Sequence, residues 1–127
     1  LTDGVWERVA ELRNKMEMRI ADIASDAIFI GKDVKRLPNT SNFSVPGWKG
    51  ETQVMNMDLA GFAISAGSAC SSGKVKSSQA LKAMGYNDIT ASSAIRVSLG
   101  PSTTEKEIMS FVDAWSKAYK KYAVKTA

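Results

Sequence analysis

Two apolar stripes at helical spacing, one toward each end of the chain, most constrain the fold. Val5, Val9, Leu12, Met16, Ile20 and Ile23 recur at intervals of three or four residues, with Glu7, Arg8, Arg13 and Lys15 off the stripe. That phase predicts a helix over residues 2–26 with one buried face. Ile108, Phe111, Val112, Trp115, Tyr119 and Tyr122 repeat the pattern near the other end. Ahead of them, Thr104 and Glu107 have the spacing of a reciprocal N-terminal cap. Met16, Trp6 and Trp115 lie on or near these stripes and read as core, whereas Trp48, after Pro46-Gly47, reads as a candidate exposed anchor. Asp3, Glu7, Glu11 and Glu17 have no metal-site spacing and read as a solvated helix face.

Between the two helices the period changes. Ala27-Ile28-Phe29-Ile30 is a short apolar run closed by Gly31, which predicts a buried strand, and Lys32 to Thr40 is a polar loop. Asn42 to Val45 alternates and stops at a Pro-Gly turn, and Ala63-Ile64-Ser65 is a further short strand candidate. Ala94 to Leu99 alternates as well, with Ile95, Val97 and Leu99 on one side and Ala94, Arg96 and Ser98 on the other. Helical spacing returns over Glu51 to Phe62 through Val54, Met55, Leu59 and Phe62, and Gln79 to Met84 is a short helix ended by Gly85 in a left-handed cap. Helices mixed with short strands predict an α/β two-layer sandwich, a small mixed or antiparallel sheet packed against helices. With 127 residues and no internal linker, the chain is one domain, large enough to bury its own core.

Composition narrows the chemistry. There are no histidines and one cysteine, so the chain offers no Ser-His-Asp triad, no Cys-His dyad, no His-ligated metal and no internal disulfide. Its net charge of +4 is spread over Lys32-Lys35-Arg36, Lys74-Lys76 and the helical group Lys117, Lys120, Lys121 and Lys125. No nucleic-acid-binding motif accompanies these groups, so they read as solvated faces and no nucleic-acid partner is expected. No apolar run approaches the ~20 residues of a membrane span, and no leader pattern is present, so a cytoplasmic protein without a membrane partner is expected. The chain begins at Leu1 rather than Met, which reads as processing or excision from something longer.

Two residues stand out. Residues 65–78 read SAGSACSSGKVKSS, ten of the fourteen being Ser, Gly or Ala. Such a segment has little surface to bury and is expected to be a mobile loop carrying Cys70. Small neighbours leave the sulfur accessible, and Lys74 and Lys76 favour the thiolate. A reactive thiol and an inert loop cysteine both satisfy these facts. Arg96 sits on a strand among Ile95, Val97 and Leu99, where its planar fork suits bidentate pairing with a carboxylate; an ordinary salt bridge on the polar sheet face is the alternative.

Several stretches together carry a family resemblance. The segment Ser65-Ala66-Gly67-Ser68-Ala69-Cys70-Ser71-Ser72-Gly73, then Leu81-Lys82-Ala83-Met84-Gly85, then Ser93-Ala94-Ile95-Arg96-Val97-Ser98-Leu99-Gly100, resembles the C-terminal part of a cysteine desulfurase. So do Leu37-Pro38-Asn39-Thr40, Asn42-Phe43-Ser44 and Thr103-Thr104-Glu105. These are class V aminotransferase-type enzymes, and the loop is similar to that of the long-loop, nitrogenase and general iron–sulfur branch. The resemblance implies the small domain of a fold-type I pyridoxal-phosphate enzyme, spanning residues 1–127, with the large cofactor-binding domain absent. It implies Cys70 as the catalytic residue that takes sulfur from L-cysteine as a persulfide, leaving alanine, and Arg96 as the residue that binds the substrate α-carboxylate.

Pyridoxal phosphate would belong to the full-length enzyme, with no cofactor or metal residue in this chain and no turnover by the fragment alone. Implied partners are L-cysteine, a sulfur acceptor such as an iron–sulfur scaffold, and a second subunit of a homodimer. One departure is that Ser77-Ser78-Gln79 replace the proline and aromatic or histidine usual after the loop. A selenocysteine lyase or other class V aminotransferase, and a non-catalytic α/β binding module, are the alternative functions.

Overall fold

The computed structural model describes residues 4–31, 38–59, 61, 64–66 and 81–126. Along the chain run α1 (Val5–Ile23), β1 (Ile28–Phe29), β2 (Thr40–Ser44), α2 (Gly50–Leu59), β3 (Ser65–Ala66), α3 (Asp88–Ser92), β4 (Ala94–Ser98) and α4 (Glu105–Thr126). Residues 81–83 form a further helical turn. The strands make one sheet in the order β1-β2-β4-β3. Each neighbouring pair is antiparallel, which resolves the expected mixed-or-antiparallel sheet to the second kind.

The two long helices cover one face of this sheet. Val9, Leu12, Met16 and Ile20 of α1 and Ile108, Phe111, Val112 and Trp115 of α4 form a single core with Phe43, Ile95, Val97 and Leu99. The two apolar stripes of the sequence are therefore the two halves of one layer, and the alternation in β2 and β4 turns Phe43, Ile95 and Val97 toward it. The capping pair at α4 forms as expected: the Thr104 backbone N–H donates to Glu107 Oε1 at 2.9 Å, and the Glu107 N–H donates to Thr104 Oγ1 at 3.2 Å. Opposite, among the described residues, a smaller cluster of Ile30, Leu81, Ala91 and Ala94 covers one end of the other face.

Several expectations need correction. Helix α1 stops at Ile23, where Ala24 turns extended and its N–H closes on the Ile20 carbonyl. Glu17 does not belong to a solvated face: it is 2% exposed, and the buried Ser41 hydroxyl donates to its Oε2 at 2.6 Å. Trp48 is not an exposed anchor but 3% exposed, stacked on Tyr122 with centroids 5.2 Å apart and tilted against Trp115. The apolar phase assigned to α2 is also wrong, since Met55 and Leu59 are exposed while Gly50, Gln53 and Met57 are buried. The reason is close approach: a Cβ on Gly50 would stand 2.4 Å from the Ala94 carbonyl oxygen, so the helix lays its backbone against β4. Buried Gln53 is fully used there, donating to the Trp48 and Ser93 carbonyls at 3.0 and 3.3 Å and accepting from Trp115 Nε1 at 3.0 Å.

Ser65, the end of the strand candidate at 63–65, does lie in a strand, and Ala66, expected within the loop, joins it as β3, paired with β4. Helix α3 was not expected; Asn87 caps it by accepting the Thr90 N–H at 2.8 Å. Gly85 does adopt the left-handed conformation, with φ 98°.

Candidate functional site

Arg96 lies on β4, one of the two central strands, and its side chain is exposed on the sheet face that α1 and α4 leave uncovered. Its register partners are Asn42 on β2 and Ser65 on β3. Ser98 and its partner Thr40 continue the same face. At the other end of that face, Ala94 and Ser44 are closed off, with the Ser44 hydroxyl donating to the Thr90 carbonyl at 2.8 Å. Among the described residues the face thus changes along its length from packed at Ala94 to exposed at Arg96 and Ser98.

The backbone under Arg96 is held from both sides by ladder pairing, while its buried neighbours Ile95 and Val97 anchor the strand in the core. A rigid strand is a good mount for a planar donor that must meet a carboxylate at a fixed angle. No side-chain hydrogen bond or ion pair joins the Arg96 guanidinium to another described residue. Its salt-bridge alternative is therefore not what this face shows among the described residues. The neighbouring Asn42 amide Oδ1 is buried and accepts no hydrogen bond. Sequence reading placed Asn42 and Ser65 in motifs but gave neither a place beside Arg96, because strand register has no local signature.

Cys70 lies outside the described residues, as do Lys74, Lys76 and the departure at 77–79. Elsewhere, a wide groove between α2 and α4 is lined by Trp48, Met57, Asp113, Lys117, Lys121 and Lys125. Arg96 is not among its described lining residues. Burial, with the Asp26 carboxylate beside it, raises the Tyr119 phenol above its usual pKa; the phenol donates to Asp26 Oδ1 at 3.2 Å, far from Arg96 in the fold. Among the described residues no group of three or more Cys, His, Asp or Glu could hold a metal ion. No described helix is long and apolar enough to cross a membrane.

Fold and site together define a small α/β domain that presents a fixed guanidinium on the open half of an antiparallel sheet. A family model described as aminotransferase class-V matches residues 2–111, and the chain belongs to that family. Among curated relatives, a cysteine desulfurase IscS of Dictyoglomus turgidum is 34% identical over 119 residues, covering 94% of this chain and 30% of the relative. A cysteine desulfurase NifS of Azotobacter vinelandii is 37% identical over 100 residues, covering 79% of this chain and 25% of the relative. The solved structure of a NifS-like protein from Rickettsia africae shares the fold, with a TM-score of 0.77 and 24% identity over 91% of this chain and 29% of that one. The chain thus spans about a quarter to a third of the length of the relatives it matches.

Proposed function

We propose that this chain is the C-terminal small domain of a cysteine desulfurase, and that it contributes the sulfur-accepting thiol and the carboxylate anchor to that enzyme. The observation that carries the reading is Arg96, fixed on a central strand with its side chain exposed and without a side-chain partner among the described residues, in a chain whose curated relatives are named cysteine desulfurases. A guanidinium so placed binds the α-carboxylate of L-cysteine bidentately and fixes the direction of its side chain.

The Cys70 thiolate then attacks the substrate sulfur. An S–S bond forms as the substrate C–S bond breaks, the C–S electron pair stays on carbon, and a proton completes the methyl group of alanine. The sulfur remains as a persulfide on Cys70, so substrate carbon is reduced, Sγ is oxidised, and no outside oxidant is needed. A loop of small residues suits a thiol that must serve first a substrate and then an acceptor.

Pyridoxal phosphate is the cofactor this family implies for the complete enzyme. The open face does not fit it, because its described residues offer hydroxyls, an amide and a guanidinium, and no lysine amine for the Schiff base that would hold it. The rest of the parent enzyme holds the cofactor, and the parent works as a homodimer that passes sulfur to an acceptor such as an iron–sulfur scaffold. A single unpaired cysteine suits the reducing cytoplasm.

The test uses the parent enzyme. Cys70→Ala is expected to abolish persulfide formation and alanine release while leaving the thermal unfolding temperature unchanged. Arg96→Ala is expected to raise the KM for L-cysteine by about ten- to a hundredfold, the loss of a charge-assisted pair. Full alanine release by the Cys70 variant would sink the reading.

A further inference from the structure

We propose that Asn42 is a positioning residue for Arg96: its side-chain oxygen accepts a guanidinium N–H and turns the remaining fork toward the substrate carboxylate. The proposal rests on the reading of Arg96 as the carboxylate anchor. It starts from an anomaly in the sheet. Asn42 Oδ1 is buried and makes no hydrogen bond. The rest of the residue is well placed, its main-chain carbonyl accepting the Ile30 N–H at 2.8 Å. Buried polar atoms are nearly always satisfied, so an orphan here points to a partner that arrives in another state of the site.

The register names that partner. Asn42 stands directly opposite Arg96 across the β2–β4 ladder. Side chains so paired share a face with Cβ atoms about 5 Å apart. Arg96 has five N–H donors and no acceptor, and no described residue takes any of them. An acceptor without a partner and a donor fork without a described partner therefore occupy opposite positions on one face of the ladder.

The chemistry explains why an amide stands there. A carboxylate at position 42 would also orient the guanidinium, but it would neutralise the charge that must attract substrate. An amide oxygen orients the fork and leaves the positive charge for the ligand. Ser65 is the register partner of Arg96 on the other strand, so both cross-strand neighbours of Arg96 are neutral polar residues.

The test compares Asn42→Leu, Asn42→Asp and Arg96→Ala in the parent enzyme, with L-cysteine and with cysteamine, which keeps the thiol and amine but lacks the carboxylate. The Kd for L-alanine, measured by calorimetry, gives a readout apart from turnover. Asn42→Leu is expected to raise the cysteine KM and alanine Kd about tenfold, leaving cysteamine turnover and the unfolding temperature unchanged. Asn42→Asp is expected to weaken both carboxylate ligands further, by pairing with Arg96, and to keep the volume of the native side chain should the leucine variant fold poorly. Unchanged cysteine KM and alanine Kd in both Asn42 variants, with Arg96→Ala impaired, overturn the role of Asn42 alone. An equal loss for cysteine and cysteamine also overturns it, by showing a structural role. An Arg96→Ala enzyme with normal cysteine KM overturns the anchor reading and this proposal with it.

Discussion

Single atoms decide much of this domain. Gly50 is the clearest case, because its missing Cβ lets α2 touch the Ala94 carbonyl at the start of β4. Gly50→Ala would put a carbon 2.4 Å from that oxygen, and main chain cannot yield as a side-chain tip can. The expected cost is about 1–3 kcal/mol, the usual penalty of overpacking, seen as a lower urea midpoint with unchanged slope. Because β4 also carries Arg96, the same variant in the parent enzyme is expected to weaken cysteine binding. Gln53 shows the complementary rule. A polar side chain 1% exposed is tolerated because both ends of its amide are bonded, one of them to Trp115.

At the scale of elements, α4 is the longest helix described, and its start is built from two side chains. Thr104 and Glu107 exchange bonds with each other's main-chain N–H groups, while Glu105 and Glu107 suit the positive end of the helix and Lys125 the negative end. Thr104→Ala is expected to cost about 1 kcal/mol, with Thr104→Ser close to the native chain, as read by thermal unfolding. This cap was legible in the sequence because all its parts lie within one turn. The phase of α2 was not. Its apolar residues Met55 and Leu59 suggest one face, and contact with β4 selects another. Local hydrophobic spacing reports what a helix could bury, whereas close backbone approach at a glycine reports what it does bury.

Across the whole molecule, the buried core and the proposed carboxylate anchor lie on opposite faces of one sheet. The face toward α1 and α4 holds Phe43, Ile95 and Val97, and the other holds Asn42, Arg96 and Ser98. Phe43 is fully buried, so Phe43→Ala is expected to cost about 3–5 kcal/mol in urea unfolding. Arg96→Ala, on the open face, is expected to stay within about 0.5 kcal/mol while impairing the parent enzyme. Similar destabilisation by both would show that the two faces are not separated in this way.

The sequence by itself determined the local elements and the family. Periods of 3.6 and 2 marked α1, α4, β2 and β4, short-range pairs marked the cap, and the motifs around Cys70 and Arg96 carried the resemblance to cysteine desulfurases. Only the tertiary structure decided that Asn42 and Ser65 flank Arg96, that Trp48 is interior, and that the sheet is antiparallel throughout. The physical reason is range. Period and capping are properties of a few consecutive residues, whereas register is chosen by the whole core, since slipping β2 by one residue would send Phe43 to the open face and Asn42 into the hydrophobic layer.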